Sequence, residues 1–137
     1  MGTSCCSKAH NYRLAGRKEK LDEEGVTLRS AGDLGGKILL DCTLEGRPLR
    51  PHGRYTPGAE HVAAWAPGAR VVKIFNTTGF SNMASPEYRE GRSMMLYCGD
   101  DASVKQVAAQ LAAELGFEPY DVGALTEARL LEPFALV

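Results

Sequence analysis

The sequence predicts an α/β fold: a partial Rossmann-like parallel sheet of about four strands with flanking helices. From Gly35 onward, apolar runs of strand length alternate with helical patterns, the order expected for α/β units. The first strand candidates are apolar with little alternation, which indicates strands buried on both faces. The chain has 137 residues, of which 44% are hydrophobic, so one packed domain is expected.

The first two strands are separated by one short helix. Gly35-Gly36 forms a turn before the strand Lys37–Cys42, and the stretch 43–57, rich in proline and glycine, is predicted to be a loop. Ala59–Ala66 is predicted to be a helix that Pro67-Gly68 ends. Val71–Phe75 is the second strand, because β-branched residues dominate it.

The remaining elements complete the alternation. A second long loop, 76–93, leads to the third strand, Met94–Cys98. The clearest helix is Ala102–Leu115, which carries one continuous apolar stripe, with Asp101 as its N-cap and Gly116 as its C′ residue. The last predicted elements are a short strand, Glu118–Val122, and an amphipathic helix, Thr126–Phe134, with Thr126 as a cap.

The chain divides into two parts of different character. Residues 1–34 are polar, and the charge run Gly16–Gly25 has no clear apolar face, so a short exposed helix or a frayed arm is expected there. We favour an arm, which can be disordered, followed by half of a doubly wound domain over residues 35–137. Such a half domain leaves the sheet edge beside Lys37–Cys42 open, which favours self-association, for example as a homodimer.

Composition argues against several function classes. The net charge is −1, with 16 basic and 17 acidic residues, which gives no electrostatic case for binding nucleic acid. No apolar run approaches the length of a membrane span, and the N-terminus lacks an apolar signal core, so a cytoplasmic protein is expected. The four cysteines include no C-x-x-C pair, and no metal site is predicted.

The candidate site is the loop Asn76, Thr77, Thr78 and Gly79, which follows the second predicted strand. Open parallel sheets bind ligands beyond the carboxyl ends of their strands, where this loop would lie. Asp41 and Thr43, at the end of the first strand, are expected at the same edge. The alternative is that these side chains only form Asx or Ser/Thr turns that satisfy their own backbone.

Other chemistry-bearing residues have simpler interpretations. The pair Asp100-Asp101 is explained by helix capping rather than by a metal. His52 and His61 lie without a neighbouring nucleophile or carboxylate pattern, so no catalytic residue is predicted. Trp65 is expected to pack at the end of the first helix.

Four blocks carry a resemblance to a known family. They are GGKILLDCT (Gly35–Thr43), GAEHVAAWAPGARVVKIFNTTGFSNMASP (Gly58–Pro86), LYCGDDASVKQVAAQLAAELGFEP (Leu96–Pro119) and DVGALTEARLLEPFA (Asp121–Ala135). In their order and spacing, these blocks resemble the NADP oxidoreductase family that includes NADPH-dependent reductases of the deazaflavin coenzyme F-420.

The resemblance implies the second half of an NADP-binding domain, with NADP as cofactor and coenzyme F-420 as co-substrate. Together with the placement of these residues at the sheet edge, it favours a cofactor-binding role for Asn76, Thr77, Thr78, Gly79, Thr43 and Asp41. The family's G-x-G-x-x-G phosphate loop is absent, since Gly32, Gly35 and Gly36 precede a strand rather than follow one. The family's Cys-Thr-Asn-Pro is replaced here by Cys42-Thr43-Leu44-Glu45.

Three functions remain open at this point. The first is a chain that transfers hydride between NADP(H) and coenzyme F-420, or that derives from such an enzyme and is inactive alone. The second is a non-catalytic partial Rossmann module. The third is a relative of the imine reductases of the pyrroline-carboxylate type. Hydride transfer needs no strong acid or nucleophile from the protein, so amides, hydroxyls and backbone groups are a chemically sufficient site.

Overall fold

A computed structural model describes residues 12–15, 21–43 and 58–135 of the chain. The strands are β1 (Tyr12–Ala15), β2 (Ile38–Asp41), β3 (Arg70–Lys73), β4 (Glu87–Tyr88), β5 (Gly91–Arg92), β6 (Met94–Gly99) and β7 (Glu118–Asp121). The helices are α1 (Leu21–Ser30), α2 (Gly58–Trp65), α3 (Phe80–Ala84), α4 (Ala102–Glu114) and α5 (Ala128–Phe134), the last preceded by a 3₁₀ turn, Leu125–Glu127.

Five strands form one sheet in the order β1-β2-β3-β6-β7, and β4 pairs with β5 in a small separate hairpin. β1, β2 and β3 are parallel to one another, and β6 is parallel to β7. The α/β class and the flanked, mostly parallel sheet are therefore confirmed. The predicted parallel pairing fails at one place, since β6 runs antiparallel to β3. The connection between these two strands contains only the short α3 and the β4–β5 hairpin, not a long crossover helix.

The N-terminal region contains a strand that was not predicted and a helix, which was the less favoured of the two alternatives for the charge run. β1 pairs in parallel register with β2, from Tyr12 opposite Ile38 to Ala15 opposite Asp41. Helix α1 follows, and its Leu28 is buried in the core beside α2. The preference for a frayed arm is therefore wrong for residues 12–15 and 21–30. The open edge predicted beside Lys37–Cys42 is wrong too, because β1 covers it. The division into residues 1–34 and 35–137 stays a prediction.

The sheet separates two apolar layers. One face packs under α1, α2 and α5 through Leu39, Val71 and Cys98, and the other packs under α4 through Leu40, Val72 and Met95. Asp101 caps α4 as predicted, since its Oδ1 accepts hydrogen bonds from the backbone N–H groups of Ser103 and Val104. Thr126, predicted to cap the last helix, instead lies inside the 3₁₀ turn.

Candidate functional site

The parallel strands place the predicted site at one edge of the sheet. The carboxyl ends of β1, β2 and β3 point the same way, so Thr43 and the loop 76–79 follow strands that end at a common edge. The carboxyl end of β6 points the other way, since β6 is antiparallel to β3. Asp100 and Asp101 therefore lie at the opposite edge, away from the candidate site.

A buried ionic cluster lies beneath this edge. Lys73, at the end of β3, has no exposed surface, and its Nζ lies 3.1 Å from Oδ2 of Asp41 in β2. The two residues are register partners and lie on the face that Leu39 and Val71 occupy two residues earlier. Nζ also donates to the backbone carbonyl and to Oγ1 of Thr43, the latter at 3.2 Å. Since a buried cation must be paired, Lys73 ties the ends of β2 and β3 together.

Glu132 of α5 completes the cluster from above the sheet. Its Oε1 lies 2.9 Å from the Lys73 Nζ, and its side chain is fully buried. The same carboxylate accepts hydrogen bonds from the first backbone N–H groups of α2, from Gly58 at 3.1 Å and from Ala59 at 3.3 Å. A carboxylate is favoured at a helix N-terminus, where unsatisfied N–H groups and the helix dipole meet it. Glu132 therefore joins α5, α2 and β3.

Asn76 connects the loop to the same helix. Phe75 has a positive φ of 62°, which is costly for a bulky residue and turns the chain sharply after β3. Asn76 is only 5% exposed, and its Nδ2 donates to the carbonyl of Leu131, the residue before Glu132, at 3.4 Å. Its Oδ1 is buried and has no hydrogen-bond partner among the described residues.

The rest of the loop grades from buried to exposed. Thr77 is half-buried, and its hydroxyl oxygen is likewise buried without a partner in the described part of the chain. Thr78 is half-buried, and Gly79 is exposed at the N-cap position of α3. A Cβ added at Gly79 would meet nothing within 4 Å, so no close approach requires glycine there.

The predicted site residues thus fall into two groups. Asp41 and Thr43 are buried and bonded to Lys73, and the Asp41 carboxylate also accepts from the Thr43 N–H at 2.9 Å. Asn76 and Thr77 carry the unpaired oxygens. The sequence analysis did not single out Lys73 or Glu132 as members of the site. A lysine inside the apolar run VVKIF, opposite the aspartate that ends ILLD, is the signal that would have predicted the buried pair.

The thiols near this edge are unreactive by position. Burial, together with the charge of Asp41, raises the pKa of Cys42 to about 12, although Lys73 opposes this. Burial likewise raises the pKa of Cys98 to about 12. Because the thiolate is the nucleophilic form, neither sulfur is suited to covalent chemistry at neutral pH.

Other residues singled out from the sequence lie elsewhere. Trp65 is half-buried and stacks on His61, with ring centroids 5.5 Å apart. His52 lies outside the described residues. Within residues 12–15, 21–43 and 58–135, no group of histidine, cysteine, aspartate or glutamate side chains is arranged to hold a metal ion. No helix in that part of the chain is long and apolar enough to cross a membrane.

Comparison with curated proteins relates the chain to metalloreductases. It is 36% identical to rat metalloreductase STEAP3 over 107 residues, and this aligned region covers 77% of this chain and 21% of the rat protein. It is 29% identical over 104 residues to human metalloreductase STEAP2, covering 75% of this chain and 20% of the human protein. The chain thus spans about a fifth of the length of these relatives. No family model matches the chain.

Solved structures share the fold. A proposed F-420-dependent NADP reductase from Arthrobacter sp. FB24 superposes with a TM-score of 0.72 at 29% identity, covering 90% of this chain and 60% of that one. A hypothetical protein from Sinorhizobium meliloti superposes with a TM-score of 0.73 at 23% identity, covering 89% and 61%. The chain spans about three-fifths of the length of these proteins. The fold is therefore that of a Rossmann-like reductase domain.

Proposed function

We propose that the chain is an oxidoreductase that forms the nicotinamide end of an NADP(H) site and serves hydride transfer to or from a deazaflavin such as coenzyme F-420. The observation that carries this proposal is a pair of buried oxygens, Asn76 Oδ1 and Thr77 Oγ1, that have no hydrogen-bond partner among the described residues and lie at the carboxyl edge of the parallel strands. A buried polar atom without a partner costs free energy, and a bound polar group removes that cost.

The residues fit a nicotinamide. Asn76 Oδ1 is an acceptor, and Thr77 Oγ1 both donates and accepts, which matches the N–H and C=O of a primary carboxamide. When bound, NADPH supplies the hydride, and the protein's part is to orient the ring and to exclude water. Asn76 and Thr77 orient the carboxamide, Thr78 and Gly79 line the exposed side, and Asp41 and Thr43 hold the neighbouring strand end through Lys73.

The comparisons support an NADP-dependent oxidoreductase, and the identity of the hydride acceptor is left to experiment. The Arthrobacter protein supports a deazaflavin acceptor, and the similarity to STEAP3 supports a second candidate in which a metal ion is finally reduced. Oxidation of NADPH, followed at its own absorbance band with coenzyme F-420 or with a ferric chelate, separates the two. We also propose that the protein is cytoplasmic. We propose further that it forms a homodimer, since the apolar side chains of Phe80, Leu130 and Phe134 are largely exposed.

The test is a fluorescence titration with NADPH of the wild-type chain and of Thr77→Val. Saturable micromolar binding supports the proposal, and no binding at millimolar NADPH refutes it in favour of a non-catalytic module. Thr77→Val should weaken binding about fivefold to tenfold, because a hydrogen bond is lost. Its free energy of unfolding should stay unchanged or rise by about 1 kcal/mol, since the hydroxyl has no partner in the described part of the free protein. Thr126→Val, at an exposed threonine of the 3₁₀ turn, is the matched control and should change neither quantity.

A further inference from the structure

The orientation of the Asn76 amide is fixed by its neighbour. Its Nδ2 donates to the carbonyl of Leu131 at 3.4 Å, which leaves Oδ1 as the unpaired end. Rotating the amide by half a turn would place Oδ1 against that carbonyl, two acceptors facing each other. As long as the Leu131 carbonyl keeps its place, Asn76 presents an acceptor to a ligand and not a donor.

The place of the Leu131 carbonyl depends on α5, and α5 is anchored by the next residue. Glu132 binds the Lys73 Nζ at 2.9 Å and accepts from the N–H groups of Gly58 and Ala59. All these contacts are buried, so solvent does not screen them. An ion pair, between Arg129 and Glu60, also joins α5 to α2, but it lies at the surface and outside the cluster.

We propose that Glu132 is a positioning residue that, through the Leu131 carbonyl, fixes the Asn76 amide and makes the site select a ligand with an N–H donor, the primary carboxamide of a nicotinamide. The inference rests on the proposed function for the identity of the ligand. It assigns a substrate preference to a carboxylate that binds Lys73 and the start of α2.

The test compares two nucleotides on each variant. NADPH carries a carboxamide, and the reduced 3-acetylpyridine analogue carries a methyl group where NADPH has NH₂. The wild type should bind NADPH about tenfold more tightly, the value of one hydrogen bond left unmade. In Asn76→Leu the ratio should fall to about one. In Glu132→Gln it should fall to about twofold or less, because the amide has no charge and only one acceptor oxygen for the donors that the carboxylate binds, Lys73 Nζ and the N–H groups of Gly58 and Ala59. A ratio within one variant cancels a general loss of affinity, which a merely structural role would produce.

Glu60→Gln is the matched control, since it releases the other link between α5 and α2 and should keep the wild-type ratio. If Glu132→Gln does not fold, Gly58→Ala replaces it. A Cβ at Gly58 would lie 2.9 Å from the Thr43 Oγ1, closer than van der Waals contact, and 3.4 Å from the Glu132 Oε1. It therefore displaces the Thr43 hydroxyl, a partner of Lys73, and crowds the Glu132 carboxylate without removing a charge. A folded Glu132→Gln or Gly58→Ala that keeps the tenfold ratio would overturn the positioning role.

A measurement without nucleotide separates this inference from the proposed function. The side-chain NH₂ of Asn76, followed by nuclear magnetic resonance, should exchange with solvent more slowly in the wild type and in Glu60→Gln than in Glu132→Gln. Equal exchange in all three proteins refutes the role of Glu132 whether or not NADPH binds. NADPH binding with equal affinity for both nucleotides refutes the preference and leaves the proposed function standing. No binding of NADPH by the wild type refutes the proposed function and, with it, the preference.

Discussion

Replacing Lys73 by methionine should be among the most destabilising single changes in the described part of the chain. Methionine keeps the length and apolar stem of the side chain but removes the ammonium group. Asp41 and Glu132, both fully buried, then lose the cation that lies 3.1 Å and 2.9 Å from their oxygens. The carbonyl and hydroxyl of Thr43 lose a donor as well.

The magnitude follows from the burial. Removing one partner of a buried ion pair costs about 3–5 kcal/mol, because an uncompensated charge stays behind. A domain of this size has a total stability of only about 5–15 kcal/mol. With a urea dependence of about 2 kcal/mol per molar, the unfolding midpoint of Lys73→Met should fall by about 2 M. The assay is urea unfolding followed by circular dichroism, with the slope compared between proteins.

Two further variants of the chain serve as controls for this prediction. Arg92→Met removes a cation from an exposed pair with Glu87 and should change stability by no more than about 0.5 kcal/mol. The triple variant Lys73→Met with Asp41→Asn and Glu132→Gln removes all three charges and should recover part of the loss, since no charge is left unpaired. A loss below about 1 kcal/mol in Lys73→Met, similar to that of Arg92→Met, would refute the buried cluster.

The remaining predictions concern the cap of α4 and the thiols. The hydroxyl of Ser103 and the N–H of Val104 donate to Asp101 and lower its pKa from 3.8, so its contribution to stability is present above pH 3.8 and is lost as the pH falls through the lower folded-state value. The urea midpoints of wild type and Asp101→Ala should therefore differ at pH 6 and converge towards pH 2; a constant difference would contradict the cap. In a Cys5→Ser/Cys6→Ser background, Cys42 and Cys98 should react with a thiol reagent at pH 8 only when the protein is unfolded, because a thiol of pKa about 12 is thiolate in roughly one molecule in ten thousand. Rapid labelling of the folded protein, read by mass spectrometry, would contradict the burial of these two thiols.

Most of the sheet was predictable because its signals are local. The runs ILLD and RVVK are apolar and bounded by turn residues, and α4 carries a cap, a stripe and a terminal glycine within 16 residues of sequence, 101 to 116. β1 could not be predicted from YRLA, since a four-residue strand with an arginine acquires its state from pairing with β2. The antiparallel direction of β6 also depends on tertiary contacts, because a strand's own residues do not determine which way it runs in the sheet.

The candidate site was predictable in its position and not in its chemistry. A polar loop after a buried strand indicates the carboxyl edge, and the structure brings Asn76 and Thr77 there with two unpaired oxygens. The partners of that loop lie far away in sequence: Glu132 reaches Gly58 across 74 residues, and Asn76 reaches Leu131 across 55. Contacts of this kind come from packing α5 onto the sheet, which no local pattern encodes.

The position of the ionic cluster is better explained by geometry than by stability. Burying charges is costly, and well-packed apolar residues often stabilise a site as well or better. Apolar contacts are, however, non-directional, whereas the Lys73 ammonium requires Asp41, Thr43 and Glu132 at defined distances. These contacts set β2, β3 and α5 in one arrangement immediately below Asn76. The triple variant described above separates the two effects. It should recover part of the stability lost in Lys73→Met, but it should not recover the tenfold preference for a carboxamide, because neutral side chains hold α5 less rigidly.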